Sequence, residues 1–356
     1  MYEKLFSPYN LGKINLKNRI VMSPMTRNRS INNIPGEIVA TYYTQRASAG
    51  LIITEGTSPS PNGLGYPRIP GLFIKEQRDA WEKITINVHN SGGKIFLQLM
   101  HTGRVSHPDN MSKTAIILAP SPIAMSGKMY TDTGGMQNYP IPSEMTDEQI
   151  EKTIDEYVHA SEMAINAGFD GVEIHSANGY LIDQFLNTAS NKRNDSWGGS
   201  IENRTRFGIQ VVKKIANKIG SDRVGIRVSP YGAFNDMGID PKIEDTFEFY
   251  GQELNKLDIL YMHIVDHSSM GAPEVKPSIK QKLRKNFKNT LILSGGYDAK
   301  RAEVDLLEDK CDLVAFGRPF ISNPNFVQKI KQGVPLIQPD VSTFYTPGEK
   351  GYIDYN

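Results

Sequence analysis

His175, Asn178 and Tyr180 fall in one short stretch and are the first residues whose types invite a chemical reading. Two side-chain hydrogen-bond donors beside a phenol can hold the oxygen of a carbonyl or nitro group and deliver a proton close by. A lone histidine in such a place is more often a satisfied structural residue, and a tyrosine more often a packed aromatic. The presence of all three together favours chemistry.

Other polar groups follow short apolar runs: Ser23-Pro24-Met25-Thr26, Glu55-Gly56, Gln98 through Arg104, Arg227 through Pro230, Ser294-Gly295-Gly296 and Phe316-Gly317-Arg318. Taken singly, Gly295-Gly296 is an ordinary turn and Arg318 a surface residue. Placed after two successive runs, they suit a phosphate, because glycines let backbone N–H groups approach and a guanidinium neutralises charge. Arg227 lies inside an apolar run, where a guanidinium without an anionic partner would be costly.

These groups need elements to position them. Eight apolar runs, at 20–26, 51–56, 94–101, 171–176, 225–230, 260–266, 290–295 and 313–317, alternate with stretches of helical spacing, as parallel βαβ units do. The clearest helix opens at Thr146, which forms a capping box with Gln149, with Met145 and Ile150 in the staple positions. Its apolar face runs Ile150, Ile154, Val158, Ile165, and Gly168 stands at its left-handed stop. A second helix carries Phe207, Val211, Ile215 and Ile219 and releases through Gly220. Eight such units without a Gly-x-Gly-x-x-Gly turn favour a closed α/β barrel of the (β/α)8 TIM type over a doubly wound sheet. We expect residues 1–356 to form one domain, with residues 5–17 as a hairpin capping the end opposite the mouth. The stretch 102–145, rich in Pro, Gly, Ser and Met, is too long for a plain connection and is expected to pass over the mouth with a small hairpin of its own.

Composition narrows the function classes. With 40 Lys+Arg against 39 Asp+Glu, the net charge of +1 supplies no field for nucleic acid or an anionic membrane. The one cysteine, Cys311, excludes an internal disulfide, and no Cys/His cluster has zinc or iron–sulfur spacing. Signal-peptide features and apolar runs of about 18 residues are absent from the sequence, so the expected location is the cytoplasm.

The blocks Gln98-Leu99-Met100-His101-Thr102-Gly103-Arg104, His175 to Tyr180, and Trp197-Gly198-Gly199-Ser200-Ile201-Glu202-Asn203-Arg204 with Arg206-Phe207 resemble the Old Yellow Enzyme family of FMN-dependent ene-reductases. The likeness is to its classical branch and runs from about residue 4 to 355. It implies non-covalent FMN, with NADPH or NADH as reductant. Ping-pong transfer would then send hydride to flavin N5 and on to the β-carbon of an electrophilic alkene such as an enone, maleimide or nitroalkene. Nitrate esters and nitroaromatics are implied side substrates.

By the same resemblance, His175 and Asn178 bind the activating oxygen and Tyr180 protonates the α-carbon. Gln98 meets the pyrimidine edge, Arg227 sits near N1 and O2, and Thr26 contacts O4 with the backbone of Pro24 and Met25 beside it. Gly56 packs on the flavin, while Gly295, Gly296, Gly317 and Arg318 hold its phosphate. Tyr66, Met100 and Tyr345 wall the substrate pocket.

Three departures are expected to tune rather than replace the chemistry. Asn178 stands where many relatives have a second histidine. Met100 replaces a common tryptophan and should leave a more open, flexible wall, and Gly56 replaces a common alanine with an effect limited to flavin packing. Trp197 to Arg206 reads as structural, fixing the start of the fourth helix. Competing readings are an iron–sulfur flavoenzyme, which needs clustered cysteines, a barrel that binds ligand without turnover, and a flavin-free aldolase or isomerase, for which Glu55 is the well-placed acid. Monomer and homodimer both remain open, with no membrane or nucleic-acid partner expected.

Overall fold

Eight short apolar strands pair side by side, all parallel, and the last returns to the first to close a barrel. In chain order they are Ile20–Met22, Leu51–Ile53, Ile95–Leu99, Gly171–Ser176, Val224–Val228, Tyr261–Val265, Thr290–Ser294 and Leu313–Phe316. The computed structural model describes residues 2–355. Every residue of these strands is buried, so they read as continuous apolar runs and not as alternation. Helices follow each strand, the longest being Lys75–Asn90, Asp147–Asn166 and Ile201–Ile219, and the architecture is the expected (β/α)8 TIM barrel.

Several strands stop before the runs seen in the sequence, because their polar ends leave the sheet to line the mouth. The first ends at Met22, just ahead of Ser23-Pro24, where a residue without an N–H cannot continue the ladder. Beyond the second strand, Thr54 N–H reaches Phe96 O at 3.0 Å and Thr57 N–H reaches Gln98 O at 2.8 Å. Three residue steps thus face two, a bulge that carries Gly56 to the mouth.

The helix Asp147–Asn166 starts as its sequence requires: Thr146 Oγ1 accepts from Gln149 N–H at 3.2 Å and Gln149 Oε1 accepts from Thr146 N–H at 2.9 Å. Met145 and Ile150 are both buried at the staple. The inner face departs from the simple pattern, with Tyr157, Ala160 and Ala164 fully buried while Val158 and Ile165 lie at its margin. Thr146→Ala is expected to cost about 1 kcal/mol and to lower Tm by about 2 °C, measurable by calorimetry.

The expected N-terminal hairpin, Tyr9–Leu11 with Ile14–Leu16, plugs the floor: Leu11 and Leu16 pack against Val21, Leu51, Phe96, Ile292 and Leu313 inside the barrel. A short helix, Glu3–Phe6, precedes it. The stretch 102–145 does contain a hairpin, Lys128–Thr131 with Gly135–Asn138, which hangs over the mouth and is tied by an Arg68–Asp132 ion pair. Trp197 to Arg206 lies where the sequence reading put it, at the start of the helix Ile201–Ile219. There Ser200 caps the helix, Trp197 Nε1 donates to Asp147 at 2.9 Å and Arg206 Nε donates to Ser196 O at 2.8 Å. Among the described residues, no helix is long and apolar enough to cross a membrane.

Candidate active site

Two adjoining cavities open at the C-terminal ends of the strands, of about 740 and 550 Å³. The larger is lined by Pro24, Thr26, Gly56, Tyr66, Gln98, Met100, His175, Asn178, Tyr180, Arg227 and Tyr345. Met25, Gly295, Gly296, Gly317 and Arg318 line the smaller, which shares Pro24, Thr26, Asn178, Arg227 and Tyr345 with the first. The fold therefore brings every residue to which the resemblance assigns a catalytic, flavin or substrate role to one of two adjoining cavities.

On the larger cavity's wall, the fourth strand carries His175 one residue before its end, paired in register with Arg227 of the fifth. The His175 ring lies 5.0 Å from that of Tyr180, and Tyr180 Oη is 3.1 Å from Tyr66 Oη. Burial, with the positive charge of Arg227 nearby, holds His175 well below the usual imidazole range, so it is neutral near pH 7. Burial also pushes the Tyr180 phenol up to about 12, which keeps it protonated.

Asn178 adopts a left-handed conformation, φ 62°, and is held from three sides. Its N–H donates to Ser229 Oγ at 2.8 Å, its carbonyl accepts from Asn235 Nδ2 at 2.7 Å, and its side-chain Oδ1 lies 2.6 Å from His267 Nε2. Because Oδ1 can only accept, His267 donates, and the Asn178 amide N–H groups are left for the cavity.

Asp183 buttresses this loop. Its carboxylate accepts from Gly179 N–H at 2.8 Å, with Ser229 Oγ at 3.5 Å. Burial pushes its pKa from 3.8 up to about 7, against those two hydrogen bonds. Between these values the folded state holds the extra proton, so this group's contribution to stability falls as pH rises through that window, by at most about 1.4 kcal/mol per unit. Asp183→Asn is therefore expected to gain stability relative to the parent at pH 8 and to show no such gain at pH 4, by urea unfolding at both.

Under the two cavities lies a polar floor. Gln98 Nε2 donates to Glu173 at 2.8 Å, and Arg227 is 7% exposed with no hydrogen-bond partner for its Nε among the described residues. In the smaller cavity Gly295 and Gly296 have φ of 119° and 62°, and a Cβ on Gly295 would stand 1.9 Å from Asp266 O. Only glycine fits this turn. Arg318 is exposed beside it, at the start of the helix Arg318–Ser322.

Two expectations need correction. Met100 is 2% exposed and packs with Leu64 and Ile69, so it is not an open, loose wall. The reason is Gly56, where a Cβ would lie 2.5 Å from Met100 Sδ. The glycine leaves room for the thioether in this rotamer, so its effect is not limited to flavin packing.

Sequence reasoning missed His267, Glu173 and the hairpin residues Met129 and Tyr130 that, with Tyr139, line the larger cavity. Glu173 left a signal, an acid inside a buried apolar strand that must find partners. For the hairpin residues there was none. The C-terminal tail reaches the mouth because Arg27 and Arg29 donate to the carbonyls of Phe344 and Gly351 and of Thr343, Gly348 and Lys350, respectively; Tyr345, at 59% exposure, stands at the rim.

Residues 4–336 match the model of the NADH:flavin oxidoreductase / NADH oxidase family. The chain is 39% identical to 12-oxophytodienoate reductase 1 of Oryza sativa subsp. japonica, over 99% of its own length and 92% of the relative's. Among solved structures it resembles morphinone reductase, with TM-score 0.95, 39% identity and coverage of 99% and 96%. It likewise resembles the old yellow enzyme homologue from Zymomonas mobilis, with TM-score 0.95, 37% identity and 99% of each chain covered. The chain belongs to the Old Yellow Enzyme family. It is an NAD(P)H-dependent flavin oxidoreductase, and as a member of this family it acts on small molecules.

The residues present fit the family's flavin. Arg227 Nε and His175 Nδ1 are buried polar atoms without partners among the described residues, and both side chains line the larger cavity. A buried guanidinium left so is costly unless an acceptor arrives. At the other end, the Gly295-Gly296 turn offers backbone N–H groups next to Arg318, a donor set that suits a phosphate.

Proposed function

We propose that this enzyme is an ene-reductase that uses FMN and reduces α,β-unsaturated carbonyl and nitro compounds with NADPH or NADH. When bound, the flavin supplies a hydride carrier, taking hydride from the reduced nicotinamide and releasing it to the substrate's β-carbon. Gln98 and Arg227 would hold its pyrimidine edge, Thr26 with the backbone of Pro24 and Met25 the adjoining edge, and Gly295, Gly296, Gly317 and Arg318 its phosphate.

Asn178 and neutral His175 donate to the substrate oxygen, where negative charge grows as the double bond is attacked. Tyr180 Oη gives its proton to the α-carbon on the opposite face, a trans addition. Tyr66 Oη, 3.1 Å away, donates to Tyr180 and steadies the phenolate left behind. Tyr66, the Gly56–Met100 pair and Tyr345 shape the substrate's surroundings. Reductant and oxidant use one space in turn, so kinetics are ping-pong. A free, buried Cys311 is consistent with a cytoplasmic enzyme.

The observation that carries this reading is the meeting of His175, Asn178 and Tyr180 in a cavity that also contains Gln98 and Arg227. The test is an anaerobic visible spectrum of the FMN-loaded protein titrated with NADPH or NADH, then given 2-cyclohexenone. Bleaching followed by recovery is expected. A protein that takes up no FMN refutes the reading, and one that stays yellow with both reductants is a binder without turnover.

A further inference from the structure

Glu173 is fully buried inside the barrel and takes no part in the chemistry above. Three donors converge on it: Gln98 Nε2 at 2.8 Å on one oxygen, with Tyr261 Oη at 3.1 Å and His263 Nδ1 at 2.9 Å on the other. His263 Nε2 in turn meets Ser294 Oγ at 2.9 Å. One hydrogen-bonded chain therefore runs from Gln98, under the larger cavity, to Ser294, next to the Gly295 turn of the smaller.

Burial alone would neutralise this carboxylate, yet His263, followed by Arg227 and Gln98, keeps its pKa below the ordinary glutamate value. His263 is itself pushed down by burial, so near pH 7 the pair is a carboxylate accepting N–H from a neutral imidazole. The nearby full positive charge is Arg227.

An amide side chain can present either its oxygen or its nitrogen, and apolar walls do not choose between them. A carboxylate does, because it only accepts. Glu173 therefore turns one Gln98 N–H downward and leaves Oε1 and the second N–H free. One acceptor beside one donor is the pattern that the N–H and C=O of a pyrimidine edge require.

We propose that Glu173 is a positioning residue for the flavin, fixing the orientation of Gln98 and offsetting the charge of Arg227 so that the bound flavin is not driven too far toward its reduced, anionic form. The proposal rests on the reading of Gln98 and Arg227 as the residues that meet the pyrimidine edge.

The test is a spectroelectrochemical titration of FMN-loaded parent, Glu173→Gln and Tyr261→Phe. Glu173→Gln keeps an acceptor for Gln98 and removes the charge, so the preference for reduced over oxidised flavin rises by about tenfold, about 30 mV upward for a two-electron couple. Tyr261→Phe removes a donor and leaves the carboxylate less neutralised, so the potential moves down by a smaller amount. Tyr261→Phe alone decides the matter if Glu173→Gln does not fold. Opposite shifts support the proposal, since a purely structural role would lower stability without moving the potential in two directions. Unchanged potentials in variants that bind FMN overturn it. If instead Gln98→Ala and Arg227→Met bind FMN as the parent does, the underlying reading of the pyrimidine edge has failed, and the proposal with it.

Discussion

Replacing Tyr180 by phenylalanine is expected to slow reoxidation of the enzyme by 2-cyclohexenone about 10²- to 10⁴-fold while leaving bleaching by NADPH or NADH nearly unchanged. The first figure is what a positioned general acid contributes, about 3 to 5 kcal/mol of barrier. The asymmetry follows from the chemistry: protonation of the α-carbon belongs to alkene reduction, and no proton is needed there when the nicotinamide gives up hydride. The phenol, raised to about 12 by burial, stays protonated through the neutral range, so the parent's alkene step should show no loss from ionisation of Tyr180 between pH 6 and 9. Stopped-flow absorbance of each half-reaction checks both statements. Equal slowing of the two halves would mean that the ring holds the pocket's shape and the hydroxyl does no proton transfer.

The barrel was legible because its strands are buried on both faces, and runs such as Thr290–Ser294 and Gly171–Ser176 carry that requirement directly. Where strands end was less legible. Ser23 to Thr26 and Thr54 to Gly56 follow their apolar runs without a turn signal strong enough to end them, but Pro24 and the bulge at Gly56 take them out of the ladder, and pairing partners are not visible in one segment alone. The site residues at strand ends follow from the barrel rule, which places reacting groups there whatever the chemistry.

Contacts between distant segments escaped the sequence reading. Nothing near Asn178 announces His267, 89 residues away, and nothing near Met100 announces that the space left by Gly56 will be filled by its sulfur. The hairpin Lys128–Thr131 with Gly135–Asn138 alternates weakly, and its place over the mouth is set by Arg68, which pairs with Asp132 and donates to the carbonyls of Asn28 and Tyr345. Such ties depend on the closed fold and leave no local pattern.

Arg227→Met is expected to weaken FMN binding about 30- to 5,000-fold, in a fluorescence titration of the flavin with apoprotein. Removing one partner of a buried, hydrogen-bonded charge pair costs about 2 to 5 kcal/mol, and each 1.4 kcal/mol is about tenfold in Kd. Arg318→Ala, by contrast, removes an exposed guanidinium from the phosphate end; its effect should be smaller and should shrink further in high salt, whereas the Arg227 effect should not. The apoprotein adds a second readout. With Arg227 gone, Glu173 loses its nearby full cation, but the fold also sheds a guanidinium that burial disfavours and that lacks a partner without flavin, so the apo variant should unfold near the parent's temperature. Saturating FMN raises the parent's stability by about 2.7 kcal/mol at a hundred times Kd, and the variant should gain far less at the same concentration. A variant that loses stability but keeps FMN affinity would make Arg227 a partner of Glu173 alone, and the flavin's negative charge would have to be met by some other group in the cavity.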